Sequence, residues 1–163
     1  MLIFFDTEFT DLAYDAKLIS IGLVDETGER TFYAELSDTW GPYDPSDFVE
    51  EEVLPKLGNP AARIPMDELR RQLASWLASF GQPVQLATDS LAWDWPWIVD
   101  LFGMPGGVTW PECLAPKACK LLILPEFQQA VEDVFAAGLR RHHALDDAEA
   151  NRMAWLATQW RRT

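Results

Sequence analysis

The chain has 163 residues, 48% hydrophobic and 24% charged, a composition suited to one globular domain that buries its own core. The 13 basic residues against 26 acidic ones give a formal charge of −13; that field repels polyanions and argues against a basic face gripping long nucleic acid. No apolar run approaches the ~20 residues that span a bilayer. The start carries no basic leader segment, and Cys113 and Cys119 fit neither a disulfide framework nor a zinc signature. The expectation is a single domain over 1–163, working in the cytoplasm with reduced thiols and no membrane partner.

In chain order, Leu2 to Phe5 is apolar and reads as a buried strand, followed by Asp6-Thr7-Glu8-Phe9. Lys17 to Glu26 (KLISIGLVDE) is rich in β-branched and aliphatic residues and predicts a second strand. Gly28 supplies a turn, and Arg30 to Leu36 closes an antiparallel meander of three strands. Residues 37–65 contain Pro42, Pro45, Pro55, Pro60 and Pro65, which leave room for one short helix at Ser46 to Val53, capped by Ser46 or Asp47. Met66 to Phe80 places Leu69, Leu73, Trp76, Leu77 and Phe80 at helical spacing, and Gly81 ends it. Val84 to Thr88 predicts a fourth, parallel strand. Trp93 to Phe102 predicts a helix with Pro96 in its first turn, and Val108 to Trp110 a fifth strand. Helices over Glu126 to Gly138 and Ala144 to Trp160 complete an α/β order: a mixed five-stranded sheet, the meander plus parallel strands, flanked by helices.

Three acidic stretches stand out. Side chains alternate along a strand, so Asp6 and Glu8 share one face and repel each other unless a cation sits between them. Asp94 follows the fourth strand at the start of a helix, and Asp147 opens the last helix behind His142 and His143. Ligand sites in open α/β sheets gather where strands end and helices begin. The structural alternatives are a strand running into an acidic loop, and a histidine that only caps a helix or packs in the core.

The order D-x-E (Asp6, Glu8), an aromatic-Asp step (Trp93-Asp94) and H-x-A-L-x-D-A (His142 to Ala148) resembles the three motifs of the DnaQ-like (DEDDh) 3′→5′ exonucleases. The FDTEF opening, the LISIGLV strand and the VLPKL segment look closest to the small bacterial 3′→5′ exoribonuclease group typified in mycobacteria. That resemblance implies a ribonuclease H-like fold, RNA 3′ ends as substrate, short and single-stranded or as 3′ overhangs, and a homodimer. It also implies release of nucleoside 5′-monophosphates. Asp6, Glu8, Asp94 and Asp147 would hold two divalent cations, Mg²⁺ or Mn²⁺, with His142 as general base and His143 as its rival. Phe9, Thr10, Leu12 and Trp95 would line the nucleotide pocket. Two departures leave alternatives open. The family's Asn before the middle Asp is replaced by Asp89-Ser90, so that Asp89 and Asp100 compete with Asp94; and Asp11 stands where the family's first motif often continues with Gly. Single-stranded DNA as substrate, or a binding protein without catalysis, are the competing functions.

Overall fold

A computed structural model describes residues 1–121 and 123–159. The sequence expectation that the last helix reaches Trp160 therefore ends outside the described residues. β1 (Leu2–Phe9) lies inside the sheet, hydrogen-bonded on one side to β2 (Leu18–Asp25), antiparallel, and on the other to β5 (Gln85–Thr88), parallel. β3 (Thr31–Leu36) continues the meander beyond β2. Among the described residues the sheet order is β4-β3-β2-β1-β5-β6, six strands and not five. The outer two are two-residue strands, β4 (Arg63–Ile64) and β6 (Cys119–Lys120), each parallel to its neighbour.

The expected strand at Val108–Trp110 is a turn instead. Trp110 is buried in the main core, and its indole N–H donates to the Leu114 carbonyl at 2.8 Å. A lone apolar triplet thus serves as a core anchor, and the edge of the sheet is supplied further along by Cys119–Lys120.

Alternation along β1 divides the interior. Ile3 and Phe5 face a large core closed by α2 (Met66–Ala78) and α3 (Leu91–Phe102), through Leu69, Leu73, Leu77, Ile98 and Phe102. Phe4 faces the opposite layer with Ala87, Phe127, Ala148 and Ala154, beneath α4 (Pro125–Ala136) and α5 (Ala144–Gln159). A smaller cluster of Ile19, Val49 and Val53 holds α1 (Asp47–Glu52) and the loop after it against the sheet. The layered α/β architecture agrees with a ribonuclease H-like fold. No described helix is long and apolar enough to cross a membrane.

α3 begins two residues earlier than the expected start at Trp93. The Ser90 carbonyl accepts from the Trp93 and Asp94 amides at 2.9 and 3.0 Å. Pro96 therefore falls inside the helix, beyond its first turn, where its missing N–H removes one backbone hydrogen bond.

Candidate active site

Asp6 and Glu8 have the parity of Phe4, so β1 points both carboxylates toward the α5 layer. A register shift between Glu8 and Phe9 interrupts the ladder there and re-aims the chain as it leaves the sheet. α5 brings its first turn onto the same spot. Asp147 accepts a hydrogen bond from the His143 amide at 2.8 Å, and its own amide returns one to the His143 carbonyl at 3.0 Å. The helix can come this close because Gly22, the β2 partner of Asp6, has no side chain. A Cβ on Gly22 would stand 2.2 Å from the Leu145 nitrogen and 2.4 Å from the Ala144 carbonyl carbon.

The result is two overlapping carboxylate groups. Ligand atoms of Asp6, Glu8 and Asp147 lie within 4.8 Å of one another, and so do those of Asp6, Asp89 and Asp94. Asp94, 1% exposed, is oriented by two hydroxyl donors, Thr7 at 2.6 Å and Thr88. Asp89 accepts from the Asn151 side chain at 2.9 Å. The sequence set Asp89 against Asp94; the fold puts both beside Asp6. Asp100 is on the far end of α3 and lines a different cleft.

Burial and mutual repulsion push these acids upward. Asp6 is raised well above the usual carboxylate range by desolvation, then by Asp94, Asp147 and Glu8. Desolvation with Asp147 and Asp94 lifts Glu8 to about 8. Asp147 is lifted to about 7 by desolvation, against the opposing hydrogen bond from His143, with Asp89 adding to the rise. Asp94 reaches only about 6, because the Thr7 and Thr88 hydroxyls stabilise its charge. Among the described residues, none of these four carboxylates forms an ion pair. Lys56 and Arg141 draw Glu8 and Asp147 part of the way back without pairing with them; crowded, oxygen-only donors without an ion-pair partner fit a hard divalent cation such as Mg²⁺ or Mn²⁺.

The two histidines have separate settings. His142 adopts a left-handed backbone (φ 59°) and lines a cleft of about 260 Å³ with Glu8, Phe9, Leu12 and Phe48; the Phe48 ring meets it edge-on at 5.1 Å. Burial, then Lys56 and Arg141, lower its proton affinity. His143 is buried, stacked on Tyr33 at 4.6 Å and bonded to the Asp146–Arg140 pair. His142 faces the cleft and His143 holds the helix start.

Of the expected pocket residues, Phe9 and Leu12 line this cleft. Thr10 is buried, its hydroxyl accepting from the Lys17 amide and its carbonyl from the Ser46 amide, both at 2.9 Å. It therefore ties together the loops that make the wall, without presenting its side chain. The Trp95 ring packs edge-to-face on Trp110 at 5.7 Å, on the core side of α3. Trp93 and Trp97 stand beside Phe9 instead. Their i,i+4 spacing puts them on one helix face, with Trp95 on the other, a signal present in the sequence. Asp89, Gly22 and Phe48 are the other residues that the motifs alone did not assign.

No family model matches the chain. Two curated proteins named 3′-5′ exoribonuclease, from Mycobacterium tuberculosis strains CDC 1551 / Oshkosh and ATCC 25618 / H37Rv, are each 36% identical to it over 100 residues. The match covers 60% of this chain and 54% of each relative, so it spans about half the length of those proteins. The resemblance to the mycobacterial-type 3′→5′ exoribonuclease group, drawn from the motifs, is thus shared with curated relatives that carry that name.

Proposed function

We propose that the chain is a divalent-metal-dependent 3′→5′ exoribonuclease that hydrolyses RNA from its 3′ end and releases nucleoside 5′-monophosphates. The observation that carries this reading is the convergence of Asp6 with Glu8 and Asp147, and with Asp89 and Asp94, within 4.8 Å, beside a cleft that His142 lines. Asp6, Glu8, Asp94 and Asp147 are the proposed ligands, and Asp89 joins the set through its place next to Asp6 and Asp94. Two Mg²⁺ or Mn²⁺ ions would supply Lewis-acid activation of water and stabilisation of the leaving 3′-oxygen.

The chain's own residues do the rest. His142, held neutral by burial and the nearby Lys56 charge, takes the proton of the attacking water on a ring nitrogen. Glu8 and His142 line the same cleft, so base and carboxylate address one small volume. Phe9, Leu12 and Phe48 give that volume apolar walls, against which a terminal base and ribose are shielded from water. RNA is favoured over DNA as the substrate class because the similar proteins are named exoribonucleases. A purely binding protein needs no unpaired carboxylate cluster beside a cleft histidine.

The test is hydrolysis of 3′-labelled short RNA and the matched DNA, with Mg²⁺ and then with EDTA. Mononucleotide release from RNA that stops on chelation is expected. Release that survives EDTA overturns the metal role, and faster release from DNA overturns the substrate class.

A further inference from the structure

Beyond the four acids that the motifs supply, Asp89 brings a fifth carboxylate to the site from the turn between β5 and α3. That turn is held on both sides. The Thr88 carbonyl accepts from the Leu121 amide at 2.9 Å, and the Thr88 hydroxyl accepts from the Ser90 amide at 3.0 Å. The Asp89 carboxylate is held separately, from α5, where Asn151 Nδ2 donates to its Oδ1 at 2.9 Å. Asn151 is 4% exposed and stands four residues after Asp147, so both project from one face of the helix. α5 thus serves the cluster twice, with an acid of its own and with an amide that fixes another.

The kind of donor matters. A buried amide left without its partner costs about 1–3 kcal/mol, which ties Asn151 to Asp89. The amide is also neutral: a Lys or Arg in its place would cancel the carboxylate charge, whereas an amide orients the carboxylate and leaves its charge available. Among the described residues no cation pairs with Asp89, and no hydrogen bond reaches its other oxygen. Glu8 and Asp147 complete one group with Asp6, Asp89 and Asp94 complete the other, and Asp6 belongs to both. Without Asp89 the second group would have two carboxylates, a number with which Mg²⁺ ordinarily relies on a substrate phosphate as well. We propose that Asp89, fixed by Asn151, is the third carboxylate of a second cation position beside Asp6 and Asp94, and that this position fills before RNA arrives. The inference rests on the divalent-metal reading and adds an order of events to it: both ions load on the protein alone. Asn151 acts through Asp89, as a positioning residue.

The experiment titrates the metal-free full chain with Mn²⁺ in the absence of RNA, counting bound ions by loss of the free-ion EPR signal. Melting temperatures are taken in EDTA and at saturating Mn²⁺. Wild type is expected to bind two ions. Asp89→Asn, whose amide oxygen still accepts from Asn151, is expected to keep one ion and to weaken the other beyond the ~10–100-fold that loss of a supporting partner causes. Its melting temperature in EDTA should stay at or above the wild-type value, because one crowded charge is gone, while the rise on adding Mn²⁺ shrinks. Asn151→Leu, which removes the donor, is expected to weaken the same ion by about tenfold, and Asn151→Gln, which keeps one, to recover part of that loss. Two ions held with wild-type affinity by Asp89→Asn overturn the inference. So does a melting temperature of that variant lowered in EDTA with the Mn²⁺-induced rise intact, the mark of a structural acid. A single ion in wild type overturns it and leaves the metal reading standing; no bound ion in wild type overturns both. A stable Asn151→Leu that binds both ions as wild type does overturns the positioning role, and if that variant is unstable in EDTA, Asp89→Asn decides.

Discussion

At the scale of single residues, the adjacent histidines sit in two different settings, and the one that the motif spacing favours as base is the one that faces the cleft. His142 bends into a left-handed backbone and faces the Glu8 cleft. His143 is turned inward against Tyr33, and its Nδ1 lies 3.2 Å from Asp146. Replacing each by Ala therefore has a different signature. His142→Ala removes the proposed base, worth about 10²–10⁴ in turnover, while the melting temperature stays near that of wild type. His143→Ala empties a buried, hydrogen-bonded position at the start of α5 and lowers the melting temperature, with the loss of rate following the loss of folded protein. Paired measurements of kcat and melting temperature on the two variants decide it. An inactive, fully stable His143→Ala beside an active His142→Ala would reverse the assignment.

At the scale of elements, the site depends on how closely α5 approaches the sheet, and Gly22 sets that distance. Any side chain on Gly22 meets backbone atoms of Ala144 and Leu145, which have no flexible end to swing away. Gly22→Ala is expected to overpack the contact by roughly 1–3 kcal/mol and lower the melting temperature by roughly 3–10 °C. The same shift carries Asp147 away from Asp6 and Glu8, so Mg²⁺ affinity in a calorimetric titration should fall as well. Unchanged affinity and stability would show that the helix has slack that the packing does not indicate. What was legible in the sequence follows the same physics. Strand parity aligned Asp6 with Glu8, and the periodicity of α2 and the motif on α5 marked elements long enough to impose a pattern. β4 and β6, two residues each, are too short to show any period, and their pairing is dictated by the sheet edges they meet. Gly22 was hidden inside a strand read only as rich in β-branched and aliphatic residues, its role defined by the helix laid across it. Asp89 was read as a rival of Asp94, because the motif asks for one acid there and sequence alone does not show that both come within reach of Asp6.

At the scale of the whole molecule, the raised carboxylates make stability depend on pH in a defined window. Glu8 and Asp147 bind protons more tightly in the folded chain, near 8 and 7, than the ordinary carboxylate value of about 4. Their contribution to stability is complete at low pH, where they are protonated, and is lost as pH rises through those folded values. His142 and His143 have lowered proton affinity and act in the opposite sense, but their effect is confined to pH below about 6.5, where unfolded histidine charges. Asp25 and Asp146, both lowered, act below about pH 4. The interval from pH 7 to 8.5 is therefore governed mainly by the carboxylate cluster, with the Cys113 thiol, raised by burial, adding in the same sense toward its upper end. Each tenfold change in proton affinity is worth about 1.4 kcal/mol, so metal-free protein in EDTA should melt roughly 3–10 °C lower at pH 8.5 than at pH 7. Bound at this cluster as proposed, Mg²⁺ would offset the repulsion among the carboxylates, so its stabilising effect should be larger at the higher pH and should flatten the profile. Thermal melts at the two pH values, with and without Mg²⁺, read both effects. A flat profile in EDTA would mean that the four carboxylates are better solvated than their burial implies. A Mg²⁺ effect equal at both pH values would place the bound ion away from Glu8 and Asp147.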